Sequence, residues 1–177
     1  MATMILLPDD TPAVDSGWST TSGAPHTVLN SDDGHTSYAA CSTSGQEMKL
    51  GFADPSVAEG GIDTIDSVRF ISSGRANSRS ASTRVAIGFV TPSGNSTENA
   101  PYPPVSPSSY ATVNGTARPY SDGSSAAWTY ANLEDLTLKC EQIDAVEVNL
   151  SYLALEVTYT AAVAGVADNA TFFGANF

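Results

Sequence analysis

Apolar and polar positions alternate along most of this chain with a period of two, as in strands that bury one face. Residues 47–52 show it most plainly. Met48, Leu50 and Phe52 point one way, Glu47, Lys49 and Gly51 the other, and Asp54–Pro55 ends the run. A short strand is predicted in HTSYAACS, with Thr36, Tyr38 and Ala40 on one face. Another lies in IDTIDSVRFISSGRA, where Ile65, Val68, Phe70 and Ser72 lead to a Ser–Gly turn. A third, with Val85, Ile87 and Phe89, ends in the turn Thr91-Pro92-Ser93-Gly94. YATVNGTARPYS reads as a strand closed by a hairpin turn at Asn114–Gly115.

The strongest run is DAVEVNLSYLALEVTYTA. Val146, Val148, Leu150 and Tyr152 share one parity, Leu153, Leu155, Val157 and Tyr159 the other. A one-residue slip sends every later side chain to the opposite face. The switch at Tyr152–Leu153 therefore predicts either a β-bulge or a strand passing between two sheets. Just upstream, WTYANLEDLTLKC begins as a helix and ends as a strand. ANLEDL makes about a turn and a half of helix, capped by Thr129 or Asn132. Leu133 and Leu136, three apart, face the core. Trp128 is expected to cover one end of a sandwich; the rival reading is an exposed, glycan-stacking Trp.

Other stretches lack this period. Pro8, Pro12, Asp9 and Asp10 interrupt residues 1–16, which read as an N-terminal arm. Residues 17–160 form the sandwich domain and 161–177 a Gly/Ala-rich C-terminal tail. Residues 95–109 hold four prolines and read as a long contact loop. With no 20–50-residue repeat, the pattern predicts an all-β fold: a jelly-roll-like antiparallel β-sandwich with one short helix.

Composition narrows the function. Charged residues are 15% of the chain, against a usual ~25%. Seven Lys and Arg against nineteen Asp and Glu leave a net charge of −12. Such a surface repels phosphate backbones and anionic bilayers, so neither nucleic acid nor membrane is an expected partner. Met4–Leu7 is a short apolar run with no basic residue before it and reads as no secretory leader, which places synthesis in a cytoplasm. Cys41 and Cys140, 99 positions apart, form no metal motif and are expected as buried free thiols.

No catalytic constellation stands out. His35 follows Ser31-Asp32-Asp33-Gly34, but with Ser and Thr so abundant any trio with an aspartate arises by chance, and the chain reads as non-enzymatic. Asp9, Asp10, Asp32, Asp33, Asp63, Asp66 and Asp122 are oxygen donors of the type calcium takes, Asp32 and Asp33 first among them. Turn and capping roles explain them equally well, so no metal or cofactor is expected. Tyr102, Tyr110 and Tyr120 are candidates for stacking on sugars. Partner-binding residues are expected in three places: Met4, Ile5, Leu6 and Leu7 in the arm, Tyr102 and Pro103 in the proline loop, and Phe172, Phe173 and Phe177 in the tail. The competing reading of the first set is an edge strand of the same domain.

The order of features carries a resemblance. An early Trp18 and SDDGHTSYAACS are followed by MKLGFADP and IDSVRF; AWTYANLEDLTLK and the closing VNLSYLALEVTYT come last. Over about residues 18–160 this resembles the small jelly-roll domains of tailed-bacteriophage structural proteins. The resemblance implies a virion protein on the capsid surface that decorates or cements the shell by binding coat-protein subunits. A tail-tip or head-fibre module for host glycans is the alternative it implies. A homotrimer fits decoration, though no residue demands it.

Overall fold

A computed structural model describes residues 1–77, 85–92, 94–100 and 109–163, with only the backbone path given for 94–100. The strands are β1 (Ala2–Leu6), β2 (Pro8–Val14), β3 (Trp18–Thr20), β4 (Ala39–Cys41), β5 (Glu47–Phe52), β6 (Ile62–Ala76), β7 (Val85–Thr91), β8 (Gly94–Ala100), β9 (Ala111–Asn114), β10 (Thr137–Gln142) and β11 (Val148–Ala161). The helices are α1 (Pro25–Leu29) and α2 (Tyr130–Glu134), with a 3-10 turn at Glu59–Gly61. One antiparallel sheet runs β3-β4-β11-β6-β9, with β1 also on β11; the other runs β2-β5-β10-β7-β8. Among the named strands, β3 and β7 are followed in sequence by a neighbour in their own sheet, β4 and β8. The other connections cross between the sheets, as in a jelly roll.

Alternation builds the core. Met48, Leu50 and Phe52 of β5 face Leu138 and Cys140 of β10, Ile87 and Phe89 of β7, and Phe70, Leu153, Leu155 and Val157 of the opposite sheet; all are buried. Phe89 meets Trp128 edge-on, with ring centroids 6.0 Å apart and planes at 89°, and lies 6.4 Å from Phe70. Trp128 is buried, and its indole N–H donates to the Arg118 carbonyl at 2.9 Å. It packs in the core rather than standing free to stack on a glycan. Thr129 caps α2 reciprocally with Asn132, and Leu133 and Leu136 are buried. Cys41 and Cys140 are buried free thiols.

Several expectations are corrected. Residues 2–14 are not an arm. β1 lies along β11, from Ala2↔Tyr159 to Leu6↔Leu155, and β2 lies on β5 in the other sheet. Met4 and Leu6 face the core with 7% and 2% exposure. Pro8 begins β2, and Pro12 falls in the register shift between Asp10 and Ala13. Prolines are tolerated at such strand starts and bulges. Residues 95–100, read as the start of a loop, lie in β8 and pair with β7. Ser72-Ser73-Gly74 is not a turn: β6 continues through it to Ala76, because both of its edges are paired there, by β11 and β9. HTSYAACS keeps only three strand residues. A second helix, α1, starts at Pro25, which suits a first helical turn, and buries Val28 and Leu29. β9 pairs with β6, so Asn114–Gly115 makes no hairpin.

The parity switch in β11 is a bulge. Pairing with β6 skips from Leu150↔Gly74 to Tyr152↔Ser73, leaving Ser151 as the extra residue, one position before the predicted switch.

Candidate functional site

Three surface features are built from residues that carry chemistry or contact. The first is β1. Its alternation buries Met4 and Leu6 and leaves Ile5 46% and Leu7 38% exposed. Among the described strands β1 pairs only with β11, so its other edge is open. Of the expected partner-binding residues, the structure thus splits the first set: Met4 and Leu6 hold the fold together, whereas Ile5 and Leu7 face outward. Tyr102, Pro103, Phe172, Phe173 and Phe177 lie outside the described residues.

The second lies where the loop 30–38 crosses the β4–β11–β6 sheet. Gly34 (φ 72°) and His35 (φ 67°) both adopt the left-handed backbone, which for a non-glycine residue costs roughly 1–2 kcal/mol. The cost is offset by contacts. The His35 ring stacks on Tyr110 with centroids 4.1 Å apart and planes 5° from parallel, and its Nδ1 lies 2.7 Å from Ser151 Oγ. The Ser151 hydroxyl donates to the Ser73 carbonyl at 3.2 Å. The Ser151 hydroxyl thus has two neighbours, the His35 ring nitrogen and the Ser73 carbonyl. Ser151 is also 1% exposed.

The same cluster extends sideways. The Arg75 guanidinium lies 5.2 Å from the Tyr110 ring centre. The Asn149 amide, oriented by its surroundings, presents its oxygen to Arg75 Nε and Nη2 at 3.3 Å each. Burial raises the Tyr110 hydroxyl pKa, the Arg75 charge opposing it. Tyr110, a glycan candidate by sequence, is thus covered by His35 and held near Arg75; Tyr120 is 42% exposed. Asp33 accepts from the backbone N–H groups of Thr36 and Ser37, and Asp32 from that of Gly34 at 3.4 Å. These bonds form the turn that presents His35. Asp122 likewise accepts from Ser124, Ser125 and Ala126 N–H, which holds its carboxyl far below the usual range.

The third is an open depression of about 340 Å³ beside α2, lined by Glu59, Ile62, Asp63, Thr64, Ile65 and the segment Ala127–Tyr130. Ile65 and Trp128 bridge across its floor. Burial raises the Tyr130 hydroxyl pKa, and Glu134, Asp54 and Glu59 push it the same way. Of the two acids in the lining, Asp63 stood among the oxygen donors picked out by sequence.

The sequence flagged Ser151 indirectly, through the parity break. It carried no signal for Arg75, Asn149 or the grouping of Glu59 and Asp63 with Tyr130, which are distant in sequence. No described helix is long and apolar enough to cross a membrane.

No family model and no curated protein matches the sequence. A solved structure, the catalytic domain of Agl-KA, aligns over 95% of this chain at 14% identity and a TM-score of 0.40. The chain spans 30% of that structure's length.

Proposed function

We propose that this chain is a non-enzymatic structural protein of a virion, which decorates a phage capsid by binding coat-protein subunits through β1. The observation that carries the attachment is where apolar surface is exposed. Among the described residues the large exposed hydrophobics are Met1, Ile5, Leu7, Val14, Tyr120 and Val163, and four of these six fall in residues 1–14. Of these, Ile5 and Leu7 stand two residues apart on and just after β1, beside its open edge, and exposed apolar side chains there suit a protein contact. The virion setting rests on the sequence resemblance. The non-catalytic reading is supported by the burial of Ser151 beside His35, which at 1% exposure keeps its hydroxyl out of a substrate's reach.

Attachment would stabilise the shell by linkage, since a ligand that binds only the assembled state favours it. The test compares the melting temperature of capsids with and without the bound chain. A higher melting temperature with the chain supports the reading, and an unchanged one overturns it. The second reading, a glycan-binding module, is favoured by exposed Tyr120. It predicts binding of host polysaccharide by the isolated chain, lost in Tyr120→Ala.

A further inference from the structure

The depression beside α2 offers three kinds of surface in one place. Ile62 and Ile65 supply aliphatic wall, Tyr130 an aromatic side chain, and Glu59 and Asp63 two carboxylates; the lining holds no cation. Neither carboxylate has a partner among the described ion pairs, which join Arg69 to Glu156 and Lys139 to Glu47 and Glu141.

We propose that this depression receives a lysine or arginine side chain from a partner polypeptide. Such side chains lay an apolar stem along hydrophobic surface and keep the charged head at its rim. Here the stem would lie on Ile62 and Ile65 and the head between Glu59 and Asp63, with Tyr130 giving an aromatic contact to the cation. Charge complementarity selects the occupant. A carboxylate or phosphate would be repelled, and a purely aliphatic side chain would leave the carboxylates unused. The volume suits one side chain rather than a segment of chain. The inference does not depend on the capsid reading, and either can fail without the other.

The test is titration of the isotopically labelled full chain with Nα-acetyl-lysinamide and Nα-acetyl-argininamide, followed by backbone amide shifts. Nα-acetyl-norleucinamide serves as the uncharged control. The expected result is saturable shifts at Trp128, Thr129 and Tyr130 with either cation, and none with norleucinamide. Glu59→Gln with Asp63→Asn should raise Kd about tenfold, through the loss of two charge contacts. Asp9→Asn with Asp10→Asn, in a separate acidic depression that also holds Glu134 and Asp135, should leave Kd unchanged. Three results would overturn the proposal: no shift beside α2, equal binding of norleucinamide, or equal weakening by the Asp9/Asp10 pair. The last would mean diffuse attraction to an acidic protein.

Discussion

Ser151 is the residue that β11 leaves unpaired against β6, and its hydroxyl meets His35 Nδ1 at 2.7 Å across 116 residues of sequence. A bulge aims a side chain where regular pairing would not. Here it turns a hydroxyl toward a loop that reaches it through two left-handed residues. Strain at His35 and irregularity at Ser151 meet in one contact.

That contact should be measurable as stability. His35→Ala loses the stack on Tyr110 and the bond to Ser151 but keeps the unfavourable φ, and should cost about 1–2 kcal/mol in urea unfolding. His35→Gly loses the same contacts without the backbone strain, so it should unfold at a higher urea concentration than His35→Ala. Equal midpoints for wild type and His35→Ala would show that the loop is not held in this way.

The alternation in β1 separates structure from contact. Leu6→Ala removes a buried side chain and should cost about 2–5 kcal/mol. Ile5→Ser, one residue away and exposed, should change stability by no more than about 0.5 kcal/mol. Denaturant midpoints of the two variants check this directly. Similar losses for both would mean that β1 does not lie on β11 in the register from Ala2↔Tyr159 to Leu6↔Leu155.

Gly115 allows a close approach at the end of β9. A Cβ built there would run into the Phe70 ring, and the Gly115 N–H donates to the Phe70 carbonyl at 2.8 Å. Gly115→Ala should therefore lower stability by about 1–3 kcal/mol through overpacking. Thermal unfolding of the variant decides it, and a neutral result would place the Phe70 ring elsewhere.

Burial pushes the Cys140 thiol up to about 12. The unfolded thiol ionises near 8.5, so between these pH values the folded state holds a proton that the unfolded state releases. This contribution is intact below the unfolded pKa and declines as pH rises toward about 12. Cys140→Ala removes the term. Wild type should lose stability more steeply than the variant from pH ~9 upward, and parallel curves would contradict burial of the thiol. Neutral-pH alkylation of either cysteine should also require unfolding.

The sandwich was legible because burial dominates its strands. β5, β7, β10 and most of β11 carry the alternation directly, and the bulge in β11 was visible as a break in parity. What the sequence hid has physical causes. Pro8, Pro12 and two aspartates look like interruptions, yet an edge strand with register shifts accommodates them, so β1 and β2 read as an arm. β8, GNSTENA, carries no alternation of apolar and polar residues, so its pairing with β7 left no pattern to read. Ser72-Ser73-Gly74 resembles a turn by residue type but sits between two partner strands. The surface groupings joined residues distant in the chain, such as Arg75 with Tyr110 or Glu59 with Tyr130, which no local pattern reports.

The most direct measurement of the attachment claim is rebinding of the purified chain to capsids stripped of it, comparing wild type with Ile5→Ser/Leu7→Ser by co-sedimentation. Losing two apolar contacts should weaken binding at least about tenfold, with the variant's melting temperature unchanged. Equal rebinding by both proteins, or no rebinding by wild type, would contradict attachment through β1.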